Sequence, residues 1–151
     1  MNYLDLTIKE IHEALLSNKV TPLELLKEAI KRAKEDDCNS FEYISEKEAY
    51  EALANLESKD KNNPFWGIPF VTKDNFSTKG IPTTGSSSIL EGYIPVFDAE
   101  VYRKLINAGA IPIGKTTLDE LAMGGSGTTG HKGITYNPWD KNHQSHIGGS
   151  S

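Results

Sequence analysis

The residues with the chemistry to act on a substrate lie in the second half of the chain. Lys73 closes the apolar run Gly67-Ile68-Pro69-Phe70-Val71-Thr72 and is followed by Asp74-Asn75. A lysine at the end of a buried strand loses hydration, which favours the neutral amine and lets it accept a proton. Two structural readings stand beside that one: an ammonium that simply reaches solvent, or an ion pair with Asp74. Further on, Gly148-Gly149-Ser150-Ser151 sets two hydroxyls on backbone that glycine allows to turn sharply. A linker would look the same. Lysine plus serine is nonetheless a recurrent way to activate a hydroxyl without histidine, provided a fold brings the two together.

Other patterns are weaker. Gly109-Ala110-Ile111-Pro112-Ile113-Gly114-Lys115-Thr116 satisfies the phosphate-loop spacing. Its first glycine follows a helical stretch, its middle is strand-like, and Pro112 removes one of the backbone donors that would cradle phosphate, so it reads as a false match. His131, His143 and His146 with Asp140 have metal-ligand types, but no helix aligns them, and no metal site is assigned. Cys38, the one cysteine, has no neighbouring cation to activate it and reads as inert.

The elements that must position Lys73 follow from periodicity. Three capping boxes, Thr7 to Glu10, Thr21 to Glu24 and Ser45 to Glu48, predict three helices. Their apolar faces are Ile8, Ile11, Leu15 and Leu16, then Leu23, Leu26 and Ile30, then Ala49, Leu53 and Leu56. Residues 65–72 predict a strand, and Asp98 is expected to cap a helix carrying Val101, Tyr102, Leu105 and Ile106 that Gly109 closes. Residues 110–114 predict a second strand. The strand, helix, strand order favours an α/β sheet with a crossover. A fourth box, Thr117 to Glu120, predicts a helix that Gly124 and Gly125 stop early, followed by loop.

Composition sets the outer limits. The chain has 151 residues and a net charge of −5, so no basic field could hold a nucleic-acid backbone unaided. No apolar run reaches the roughly 20 residues of a membrane helix, and the amino terminus has no signal-like segment, which makes cytoplasmic the expected location. Residues 1–63 hold 9 basic and 14 acidic side chains, whereas all thirteen glycines and six of the seven prolines lie beyond them. The expected division is a helical region over 1–63 and an α/β region over 64–151.

Read together, the second-half segments resemble the amidase signature family. They are Gly67-Ile68-Pro69 with Lys73-Asp74-Asn75, Thr83-Thr84-Gly85-Ser86, Asp98-Ala99-Glu100-Val101, Ala108-Gly109-Ala110 with Gly114-Lys115-Thr116, Asn137-Pro138-Trp139, and Gly148-Gly149-Ser150-Ser151, in family order. Within the family, Asp119-Glu120-Leu121-Ala122-Met123-Gly124 is most similar to the A subunits of tRNA-dependent amidotransferases. The resemblance implies an α/β fold in which amino-terminal helices precede the first part of the mixed-sheet amidase signature domain. It also implies a Ser-cis-Ser-Lys triad with Lys73 as the base and Ser150, after a cis peptide from Gly149, as the bridging serine. Gly124, Gly125, Ser126 and Ser151 would line the substrate pocket.

The implied activity is hydrolysis of glutamine. The implied partners are a C subunit and a B subunit that uses ATP and Mg2+ to amidate mischarged tRNA. No cofactor is expected in this chain and no membrane contact. The family's nucleophilic serine and oxyanion hole come after the double-serine segment, so residues 1–151 alone are expected to be inactive. His146-Ile147 stands where the family usually has a proline. A stand-alone hydrolase of another small amide, or a non-catalytic interaction module, remains an alternative.

Overall fold

The computed structural model describes residues 2–140, 142, 147 and 148. Two of the capping boxes form as the sequence requires. Thr7 accepts the amide of Glu10 and Thr21 that of Glu24, while each glutamate bonds back to its threonine amide. They open α1 (Ile8–Leu16) and α2 (Pro22–Lys34). The buried face of α1 is Ile11, Ala14 and Leu15, and that of α2 is Leu25, Leu26, Ile30 and Ala33. Ile8, Leu16 and Leu23, expected on those faces, are exposed.

The third box does not form. Residues 41–44, in the half expected to be helical, make a strand, β1 (Phe41–Ile44), and the amide of Ser45 continues its ladder by donating to Ile113 O at 2.8 Å. Ser45 therefore stands at the entry of α3 (Glu46–Ala54) with no side-chain cap. Leu56, predicted on this helix, is buried in the short turn that follows it.

The second half contributes β2 (Pro69–Lys73), α4 (Glu100–Asn107) and β3 (Ile111–Thr116). Residues 65–68, expected to be strand, turn instead, with Gly67 at φ +74° and its amide on Gly109 O. Gly109 closes α4 as predicted, at φ +86°. Asp98 does not cap that helix; its carboxylate accepts the amide of Lys79 at 2.7 Å. Nor does Thr117 open a fourth helix. Its hydroxyl bonds to Asn39 O and to the Thr135 hydroxyl, leaving only a 3-10 turn at Glu120–Ala122.

The sheet order is β1-β3-β2, with β2 parallel to β3 through the α4 crossover and β1 antiparallel to β3. This is a mixed α/β sheet, as the resemblance implied. One hydrophobic core joins both halves: Leu25, Leu26, Ile30 and Ala49 pack with Trp66, Ile68, Ile111 and Ile113. Gly114 lies at the crossing of β1 and β3, where a Cβ would sit 2.5 Å from Tyr43 O. The glycine and lysine of the phosphate-loop pattern are thus in the middle of a sheet.

Candidate active site

Because β2 and β3 are parallel and Lys73 is in register with Thr116, the segments that follow both strands leave the sheet at the same end. The carboxyl ends of parallel strands are the usual ligand-binding edge of an α/β sheet. Two hydrogen bonds tie the segments together there. Asp74 O accepts the amide of Gly85, and Gly85 O accepts the amide of Leu121. From the other side, Asn39 holds the later loop by donating to Lys132 O and Ile134 O.

Lys73 is the last residue of β2 and is half-buried. Among the described residues no carboxylate lies within ion-pair distance of its ammonium. Pairing with Asp74, one of the structural readings of this lysine, does not occur, because alternation along the strand turns Asp74 to the other side and Lys115 takes it. Gly124 and Gly125 are exposed in the loop after β3, and Ser126, half-buried, donates its amide to Asp119 and shares a hydrogen bond with the Thr128 hydroxyl. Ser150 and Ser151, with the Gly149-Ser150 peptide, lie outside the described residues, as do His143 and His146. Among the described residues, no three His, Cys, Asp or Glu side chains gather as a metal site.

Sequence reasoning missed the charges that build this edge. Lys115 is 1% exposed and Asp74 is 0% exposed. Their charged atoms are 3.1 Å apart, and the ammonium also donates to Phe76 O, Thr78 Oγ1 and Thr83 Oγ1 at 2.9, 3.1 and 2.8 Å. Burial pulls the Lys115 ammonium below the ordinary lysine range, against the raising effect of Asp74. The other Asp74 oxygen accepts the amide and hydroxyl of Thr84. The Thr83-Thr84-Gly85-Ser86 motif is thereby accounted for residue by residue, since Ser86 in turn donates to Glu42 at 2.6 Å and accepts the amide of Leu118. The side chain of Glu42, on β1, is itself buried and paired with Lys132 at 3.2 Å.

The signal for the Lys115 pair was present. A lysine within an unbroken apolar run has to find a carboxylate, and Asp74 directly follows the neighbouring strand. The thiol of Cys38 is buried, and its titration is pushed up, chiefly by desolvation, which keeps it protonated and unreactive.

The Amidase family model matches residues 24–151. The chain belongs to the amidase family. It is 41% identical to the A subunit of the glutamyl-tRNA(Gln) amidotransferase from Streptococcus pneumoniae, over the whole chain and 31% of that relative's length. Among solved structures, the A subunit of the same enzyme from Thermotoga maritima superimposes with a TM-score of 0.76 at 33% identity, covering 100% of this chain and 31% of that one. The 6-aminohexanoate cyclic dimer hydrolase gives a TM-score of 0.81 at 25% identity, over 96% of this chain and 30% of that one. The chain spans about a third of the length of the relatives it matches. Among the described residues no helix is long and apolar enough to cross a membrane.

Proposed function

We propose that these residues are the amino-terminal part of the glutaminase (A) component of a tRNA-dependent amidotransferase. The observation that carries the reading is the 41% identity to such a protein over the whole chain; among solved structures, the A subunit is 33% identical, against 25% for a hydrolase that superimposes with the higher TM-score. Fold likeness is shared by the entire family, so sequence decides between its activities.

In this reading Lys73 is the base and Ser150 the bridge. A nucleophilic serine beyond the double-serine segment bonds to the side-chain carbonyl carbon of glutamine while its proton passes through Ser150 to Lys73. Collapse of the adduct breaks the C–N bond, and the leaving nitrogen takes that proton and departs as ammonia. Water then releases glutamate from the acyl-enzyme. Ammonia passes to the B subunit, which amidates Glu-tRNA(Gln) with ATP and magnesium, and a C subunit completes the complex. Gly124, Gly125, Ser126 and Ser151 would contact glutamine.

The test is to assay the whole gene product with its B and C subunits for conversion of Glu-tRNA(Gln) in the presence of glutamine, ATP and magnesium. Release of glutamate and formation of Gln-tRNA(Gln) are expected. Hydrolysis of other small amides without partners, and none of glutamine, would instead identify a stand-alone hydrolase. The 6-aminohexanoate cyclic dimer hydrolase, which shares this fold at 25% identity, is the kind of protein that outcome would point to.

A further inference from the structure

The segment that carries Gly124, Gly125 and Ser126 has neither helix nor strand to hold it, yet it is folded around one side chain. Asp119 is wholly buried. Its Oδ2 accepts the amides of Ser126 and Gly127 at 2.9 and 3.0 Å. Its Oδ1 accepts the amides of Thr128 and Thr129 at 2.8 and 3.0 Å and the Thr129 hydroxyl at 2.9 Å. Five donors on one carboxylate use up its acceptor capacity. The Thr129 hydroxyl also accepts the amide of Glu120, which ties the far end of the loop back to the turn it left.

Gly124 lies against the same carboxylate. A Cβ there would fall 2.3 Å from Asp119 Oδ2 and 2.4 Å from its Cγ. Glycine at 124 is therefore demanded by Asp119, whether or not a ligand approaches. Four successive backbone amides turned onto one point form the kind of concavity that elsewhere binds a free anion. Here the anion is part of the chain.

We propose that Asp119 is the positioning residue of the substrate pocket: its carboxylate is the internal anion on which the 124–129 loop folds, so that Gly125 and Ser126 meet the amide substrate in one arrangement. The inference rests on the reading that this loop lines the pocket. The charge matters beyond the shape. An asparagine of the same outline offers a single acceptor oxygen and turns its own N–H donors toward the loop amides, so the loop is no longer held before substrate arrives. Substrate must then order it, which weakens binding and leaves the chemical step with the same groups.

The test compares Asp119→Asn with the parent by amide hydrogen exchange and by glutamine kinetics of the whole gene product assembled with its partner subunits. Exchange at residues 126–129 is expected to accelerate about tenfold or more while the amides of β3 keep their protection. KM for glutamine should rise about tenfold with kcat within about threefold of the parent. Unchanged exchange at 126–129 overturns the proposal, and so does accelerated exchange with KM unmoved. Should Asp119→Asn not fold, Thr129→Val, which removes one donor of the five, replaces it, with KM expected to rise about threefold. An unmoved KM in that variant overturns the proposal equally. If the parent hydrolyses no glutamine, the glutaminase reading falls, and the exchange measurement alone decides whether Asp119 orders the loop.

Discussion

Replacing Lys115 with methionine puts the edge of the sheet to a direct test. Methionine has a similar length and fits the apolar run, so packing changes little while the charge disappears. Asp74, wholly buried, keeps the two donors of Thr84 and loses the counter-ion Lys115 supplies. The acceptors at Phe76, Thr78 and Thr83 lose their donor as well. Breaking one side of a buried pair typically costs about 3–5 kcal/mol, against a total stability of about 5–15 kcal/mol. With a urea m-value of about 2 kcal/mol/M, the midpoint should fall by about 1.5–2.5 M. The double variant Lys115→Met with Asp74→Asn removes both charges while its amide oxygen can still accept from Thr84. It should recover about half of that loss, because the uncompensated charge is gone. Urea unfolding followed by circular dichroism on the parent, Lys115→Met, Asp74→Asn and the double variant gives the full cycle. A single variant that loses less than about 1 kcal/mol, or a double variant no more stable than the single, would refute the account of this pair as a mutually dependent buried unit.

Three further outcomes are expected. Lys73→Ala should abolish acylation in the whole gene product while glutamine still binds, measured by burst-phase kinetics beside equilibrium binding, and near-normal turnover would remove Lys73 as the base. The Asp119 carboxyl is held below its usual range because hydrogen bonds from Ser126, Gly127 and Thr129 outweigh the opposing effect of burial. Its contribution to stability is therefore complete above about pH 4 and is lost as pH falls further, so Asp119→Asn should flatten the acid side of a stability-against-pH curve. Gly114→Ala forces a methyl to within 2.5 Å of Tyr43 O. It should lower the thermal midpoint by several degrees, on the order of 1–3 kcal/mol, through separation of β1 from β3.

Helix positions were legible in the sequence because Thr7, Thr21 and Gly109 act locally, through hydrogen bonds and backbone freedom within a few residues. What was not legible depended on partners far along the chain. Phe41-Glu42-Tyr43-Ile44 is too short to display a period, and it becomes a strand only because β3, some 70 residues later, offers it an edge. Ser45 follows the same logic, with a capping sequence whose backbone is already committed to Ile113. The spacing rule that picks out Lys115 ignores its burial. The capping box that includes Asp119 likewise ignores its carboxylate, which turns away from the helix start to gather the 126–129 amides. At the site, Lys73 stands where a strand end was expected, and the partners of the Asp74, Glu42 and Asp119 carboxylates needed the fold to be seen.

The sheet order has a consequence for synthesis. β3 lies between the other two strands but is the last of them to be translated. At about 5–20 residues per second, the stretch between β1 and β3 keeps β1 without its partner for roughly 3–13 s on the ribosome, and β2 for somewhat less. Once β2 has been made, two open strand edges and the apolar face of α2 are presented together to whatever binds nascent chains, and the emergence of Ile111–Thr116 pairs one edge of each strand in one event.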